Sequence, residues 1–324
     1  MNTVLFFSRD PGGTNQLIAL HALIDAAQIA PPSLRDFIAD LFDDTANVVV
    51  SGKDTAVDFW RKAGVEAQDW SAFSADECVA RLYELAPNHL ITATTDIDDR
   101  TDLKLWQAAR ARGISSTAFT DHKINLVRRF MDQEQLLVQP DCVFAIDEDC
   151  RDILIAGGLA HGSVQVGGDL HIGLLKQRVK QDAPGRQALR TLWRVKADET
   201  VVLFVSENSR EMSAAGRLGN YDEFECLDYV IGELSKPGTD LNGRAPFALS
   251  NATVVIRPHP KDTPGKYAAY AQTKNPRVII SSDGDGTTVV AASDLVVGMQ
   301  SSLFAEAEVL NVPIVSLIDG DGVH

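Results

Sequence analysis

The chain has 324 residues, 45% of them apolar and 23% charged, and a formal net charge of −15; it is long for one domain and comfortable for two, ordinary for a globular protein, and too acidic for general nucleic-acid binding, which rests on basic surface. No apolar run reaches the ~20 residues of a membrane helix, and the start MNTVLFFSRDPGG lacks a signal peptide's basic residues, long apolar core and cleavage site, so a cytoplasmic protein without a transmembrane segment is expected. Cys78, Cys142, Cys150 and Cys226 show no C-x-x-C spacing and suggest neither a zinc site nor a disulfide framework.

Thr3 to Phe7 reads as an apolar strand. Ser8-Arg9-Asp10-Pro11-Gly12-Gly13-Thr14-Asn15 reads as a turn into an amphipathic helix, Gln16 to Ile29. Its glycines admit φ > 0 and let a ligand or another chain near the backbone, but it is neither G-x-G-x-x-G nor a Walker loop. A polar connection with some helical pattern follows, Pro31 to Ala46. Strands are predicted at Asn47–Val50, His89–Thr94, Ser115–Phe119 and Cys142–Ile146, and helices at Thr55–Lys62, Ala75–Leu85 and Leu103–Arg112. This alternation means a parallel sheet covered on both faces, a Rossmann-like domain over residues 1–165. Asp121 and His122 stand at a strand's carboxyl end, where open parallel sheets bind ligands. Asp147-Glu148-Asp149 reads as a helix N-terminal cluster. It shares D-x-D spacing with Asp96-Ile97-Asp98, which could hold a hard cation, but such spacing is common in so acidic a chain and no metal is expected.

Residues 166–199 read as linker and first helix, and residues 200–324 as a second α/β domain. Its first strand, Thr200 to Val205, ends in Ser206-Glu207-Asn208-Ser209; Tyr221 to Leu234 is an amphipathic helix. The strand Thr253–Ile256 delivers Arg257-Pro258-His259-Pro260-Lys261. Two prolines fix the backbone around one imidazole and two cations flank it, so the histidine is presented rather than buried. Its bond to a phosphate oxygen would be charge-assisted, worth about 1.5–3 kcal/mol. After a strand at Arg277–Ser281, the Gly- and Asp-rich loop Ser282–Thr288 lacks EF-hand spacing. The organising unit is Ala292 to Ile318: a strand from Leu295, the turn Gln300-Ser301-Ser302, a helix with Leu303, Phe304, Ala307 and Leu310 at helical spacing, Pro313 ending it, and a strand from Ile314 to Ile318. That is a βαβ crossover with parallel pairing, and its turn favours an anion.

Glu306-Ala307, three residues, then Asn311-Val312-Pro313 resembles the E-A-x-x-x-G-x-P pattern of the second domain of GT-B glycosyltransferases and their relatives, where the Glu holds ribose hydroxyls. Asn311 replaces the usual Gly and tolerates the left-handed conformation of a helix C-cap. R-P-H-P-K resembles the HP motif of bacterial sialyltransferases, polysialyltransferases and CDP-glycerol glycerophosphotransferases, whose His serves the donor's phosphate and the leaving group. Ser301-Ser302 stand at a place comparable to the sialyltransferases' paired Ser, but the acidic D/E-D/E-G motif of that group has no secure match. DPGG before a helix, and the series from Thr94 through Asp121-His122 to Arg128-Arg129-Phe130, look like the first domain of bacterial capsule and surface-polysaccharide transferase-like proteins. Gly167-Gly168-Asp169 resembles the V-x-G-x-P joining segment, with Asp169 in place of Pro.

The resemblance implies two Rossmann-like domains with parallel sheets facing a cleft, the GT-B fold. It implies a nucleotide-sugar donor with its ribose on Glu306 and its phosphate served by Ser206, Arg257, His259, Ser301 and Ser302. The acceptor side would be Gly12, Gly13, Thr14, Asp121 and His122, with Asp10 as the base for an acceptor hydroxyl and His259 as the second catalytic residue. The implied activity is metal-independent transfer of a sugar to a hydroxyl acceptor, without cofactor, in bacterial surface-glycan synthesis or glycosylation. A nucleotide-sugar 2-epimerase, a CDP-glycerol glycerophosphotransferase and a non-catalytic nucleotide-sugar binder are the alternatives. GT-B proteins normally continue with helices beyond the last strand; as the sequence stops at His324, the second domain is expected to be short at its carboxyl end.

Overall fold

Val4, Leu5, Phe6 and Phe7 are all fully buried, because their strand runs through the middle of a parallel sheet with helices on both faces, where no alternate position meets water. The computed structural model describes residues 2–27, 30–42, 46–95, 99–178, 185–210, 222–319 and 322–323. The chain divides into two compact units, Met1–Leu174 and Leu175–His324.

In the amino-terminal unit, strands β1 (Thr3–Ser8), β2 (Asn47–Gly52), β3 (Gln68–Asp69), β4 (His89–Ala93), β5 (Ser115–Phe119), β6 (Cys142–Ala145) and β7 (Val164–Val166) form one sheet in the order β3-β2-β1-β4-β5-β6-β7. Every pairing is parallel. Successive side chains of β1 enter opposite cores: Leu5 and Phe7 join Trp70, Trp106 and Phe130 on one face, and Val4 and Phe6 join Leu17, Leu20 and Trp60 on the other. Each of these large side chains contributes about 1.5–3 kcal/mol through burial.

The carboxyl-terminal unit repeats the plan. Strands β8 (Thr200–Val205), β9 (Ala252–Arg257), β10 (Arg277–Ile280), β11 (Leu295–Gly298) and β12 (Ile314–Ser316) lie in the order β10-β9-β8-β11-β12, all parallel. Val202 and Phe204 face one core, and Val201, Leu203 and Val205 the other. In both units the first strand is central and the order reverses beside it, at β1/β4 and at β8/β11. In open parallel sheets the carboxyl ends of the strands at such a reversal are the usual ligand position.

Several local expectations are corrected. The first helix begins at Pro11, not Gln16, so Gly12, Gly13 and Thr14 form its first turn. Pro at the first helical position has a fixed φ suited to the helix and lacks an N–H that would be unpaired anyway. Neither glycine has a positive φ. The apolar stretch from Ile314 leaves the sheet after Ser316, and Ile318–Asp319 pairs antiparallel with Gly322–Val323. The helical pattern expected after Pro31 is the helix Pro32–Leu41, and the stretch 166–199, expected to hold a linker and a helix, contains the helix Leu170–Arg178. Asp169 Oδ1 accepts the Ile172 N–H at 3.0 Å and the Gln16 side-chain amide at 2.8 Å, a capping role that Pro could not fill. Tyr221 and the Asp96-Ile97-Asp98 motif lie outside the described residues.

Candidate functional site

In the carboxyl-terminal unit, β8, β9 and β11 release their loops at one end of the sheet. The β9 loop carries His259, which is half-buried, less open than the flanking prolines predict. Its Nδ1 accepts the Lys261 N–H at 3.1 Å, so the ring hydrogen sits on Nε2, the donor a phosphate oxygen would meet. The backbone N–H of His259 donates to Asp262 Oδ2 at 2.8 Å. That carboxylate is 2% exposed and its other oxygen pairs with Lys266 Nζ at 2.7 Å; the same ammonium meets Glu223 Oε1 at 2.6 Å, and Glu223 is fully buried. Ser206, at the end of β8, donates to Asp262 Oδ2 at 3.4 Å and is hydrogen-bonded to the Tyr267 hydroxyl. Glu223 Oε2 accepts the Arg210 N–H at 2.9 Å. A buried ionic network therefore ties the β8 loop, the β9 loop and the helix Glu223–Leu234 together. Charges out of water carry a heavy desolvation penalty, and breaking such a set costs about 3–5 kcal/mol.

Arg257, at the end of β9, donates through NH1 to the Asp283 carbonyl at 2.7 Å and through NH2 to the Gly284 carbonyl at 2.8 Å. Its guanidinium thus holds the β10 loop in shape. Burial lowers its pKa, against the carboxylates of Asp285, Asp283 and Glu306. That loop enters the helix Gly286–Ala291, capped by Asp285, which accepts the Thr288 N–H. Glu306, 5% exposed on the helix Leu303–Leu310, accepts from Thr287 Oγ1 at 2.7 Å. The contact requires Gly286: a Cβ there would stand 2.5 Å from Leu303 Cδ2 and 3.0 Å from Glu306 Oε1. Asn311 closes the helix in the left-handed conformation at φ 53°, as its place in the motif implies.

At the β11 loop, Ser301 Oγ accepts the Leu303 N–H at 3.3 Å, and Ser302 is exposed with no side-chain cap bond. The Gln300 N–H donates to Glu207 Oε1, from the loop after β8. Ser209, just after that loop, is 1% exposed and its hydroxyl has no hydrogen-bond partner among the described residues. Sequence reasoning singled out His259, Ser206 and Glu306 but missed Asp262, Lys266, Glu223 and Tyr267. Only the i,i+4 spacing of Asp262 and Lys266 could have signalled the network, and the chain there is a turn rather than a helix.

The amino-terminal unit gathers a separate set. A Cβ on Gly12 would overlap Asp121 Oδ2, and one on Gly13 would lie 2.5 Å from Ala93 Cβ. The glycines therefore serve close approach of the first helix to β4 and to the β5 loop. Asp121 is ion-paired with Arg129, which donates to Thr94 Oγ1 at 3.2 Å. His122 repeats the arrangement of His259: Nδ1 accepts the Ile124 N–H at 2.9 Å, and burial lowers its pKa. Thr14 Oγ1 donates to the Asp10 carbonyl at 2.7 Å. The Asp10 carboxylate is 3.5 Å from Arg9 NH1, in a network where Arg9 Nε also meets Asp54 at 2.8 Å and Lys53 meets Asp99 at 3.0 Å. The expected set Asp10, Gly12, Gly13, Thr14, Asp121 and His122 thus lies around the ends of β1 and β5. Asp147 caps the helix Glu148–Ala156, and Asp147 and Asp149 both pair with Lys123, at 3.1 and 2.9 Å. Among the described residues no cluster of three or more His, Cys, Asp or Glu is placed to hold a metal ion, and no helix is long and apolar enough to cross a membrane.

No family model matches the chain, and no curated protein matches its sequence. Solved structures do resemble it. The UDP-GlcNAc 2-epimerase from Neisseria meningitidis bound to UDP-GlcNAc aligns over 98% of this chain and 83% of its own, with 13% identity and a TM-score of 0.62. The S. aureus MnaA–UDP structure aligns over 98% and 80%, with 12% identity and a TM-score of 0.63. The glycotransferase of kitacinnamycin aligns over 99% and 81%, with 14% identity and a TM-score of 0.51. Identities this low establish the fold alone: the chain has the GT-B fold, two Rossmann-like units built on parallel sheets.

Proposed function

We propose that this chain binds a nucleotide sugar at the carboxyl ends of β8, β9 and β11 and transfers the sugar to a hydroxyl acceptor. The observation that carries the reading is Glu306, a carboxylate 5% exposed and held in place by Thr287, on the helix that follows the β11 loop. It suits two adjacent ribose hydroxyls, while His259 Nε2–H and Ser301 and Ser302 on the β11 loop are assigned to the phosphates. In the reaction the acceptor oxygen bonds to the anomeric carbon as the bond from that carbon to the phosphate oxygen breaks. The acceptor's proton passes to a general base, and fixed donors hold the charge of the departing nucleotide. Arg257 acts in this reading by shaping the β10 loop.

Two substitutions test it. His259→Ala is expected to lower kcat by roughly 10²–10³ with little change in nucleotide affinity, as for loss of one fixed donor to a developing charge. Glu306→Ala is expected to weaken nucleotide binding by about ten- to a hundredfold, the worth of a charged hydrogen bond. Small and equal effects on both quantities would overturn the roles. The likeness to the UDP-GlcNAc 2-epimerase from Neisseria meningitidis favours a second reading, a nucleotide-sugar 2-epimerase. Turnover of UDP-GlcNAc with no acceptor present would support it, and turnover that requires a hydroxyl acceptor would support transfer.

A further inference from the structure

The backbone N–H of Gln300 lies on the loop between β11 and the helix Leu303–Leu310, beside the place where the strand order reverses. A donor phosphate at such a position would take amides of this loop. That amide is bonded to Glu207 Oε1, a carboxylate on the loop leaving the neighbouring strand β8. Gln300 is exposed and Glu207 half-buried, so the bond lies near the surface.

We infer that Glu207 is an internal competitor for the donor's phosphate: its carboxylate holds the Gln300 amide, and the donor binds by displacing it. The inference rests on the nucleotide-sugar reading and adds a determinant of affinity to it. Two anionic groups cannot share one amide, and at such short separations their repulsion is substantial at the effective dielectric of a protein surface.

Glu207→Gln tests this, because the amide oxygen can still accept the Gln300 N–H while the charge is gone. Binding of CDP, UDP and GDP, and of the matching uncharged nucleosides, is measured on the full chain, on Glu207→Gln and on Glu306→Ala. The expected result is one diphosphate binding about tenfold tighter to Glu207→Gln than to the unsubstituted protein, with its nucleoside binding equally to both. Equal or weaker diphosphate binding by Glu207→Gln would overturn the inference, as would a gain shared by the nucleoside. If diphosphate binding is weakened by Glu306→Ala but unaltered by Glu207→Gln, the nucleotide reading stands and the competitor falls. Binding to none of the proteins would remove both.

Discussion

His259 and His122 each turn Nδ1 back onto the amide two residues ahead, which leaves one defined donor on the outer nitrogen of each ring. His89 shows what a third histidine does when burial rather than a turn controls it. It packs edge-on against Phe37, exchanges a 2.9 Å hydrogen bond with Thr117 Oγ1, and burial pushes its pKa down to about 4 from an ordinary 6.5, against the pull of Asp141. The folded protein therefore declines a proton that the unfolded chain accepts. This ring's contribution to stability is complete above pH 6.5 and is lost as the pH falls from 6.5 toward 4. Asp102 opposes it: fully buried, with its pKa raised by burial to about 7 despite the amides of Thr95 and Leu103, it takes a proton in the folded state first and adds stability over the same descent. Thermal midpoints at pH 7.5 and 5 for the unsubstituted protein and for His89→Gln separate the two, since the variant keeps Asp102. His89→Gln is expected to lose less stability on acidification, and an equal loss would show that the ring titrates normally.

Glycines of like helical conformation do opposite work according to what faces them. Gly12 and Gly13 sit in the first turn of a helix where any Cβ meets Asp121 or β4, whereas Gly232, in the helix Glu223–Leu234, is exposed with nothing within 4 Å. Gly232→Ala is expected to raise stability by about 0.5–1 kcal/mol, the helix preference for Ala. Gly12→Ala is expected to lower it by about 1–3 kcal/mol, overpacking outweighing that preference, and to disturb the Asp121–Arg129 pair. Urea unfolding of both variants checks the signs. The same contrast marks what was legible in the sequence. Continuous apolar runs revealed nearly every strand, and the E-A-x-x-x-N-x-P pattern located a helix, its left-handed cap at Asn311 and its inward carboxylate. DPGG revealed a close approach but was misread as a turn, because a proline before two glycines serves a helix start as well as a loop. The Lys266 network was not legible: Glu223, Asp262 and Lys266 look like solvated residues until the fold buries them together.

The whole molecule carries a net charge of −15, so an anionic ligand approaches against a repulsive field and reaches its donors only at short range. Raising ionic strength from about 0.01 to 0.1 M shortens the screening length from about 30 to 10 Å. Association of a nucleoside diphosphate is therefore expected to quicken by roughly a few-fold over that range, and slowing with salt, measured by stopped flow, would contradict this. The shared sheet order has a consequence for birth on the ribosome. The strand Thr3–Ser8 leads the chain, yet one of its flanks is completed only by His89–Ala93, and Thr3 is bonded to Asn88, 85 positions later. The strand Thr200–Val205 likewise waits for partners as distant as Asp294, which accepts the Val201 N–H across 93 positions. Each of these two apolar strands must therefore be kept from other chains until about ninety further residues have emerged.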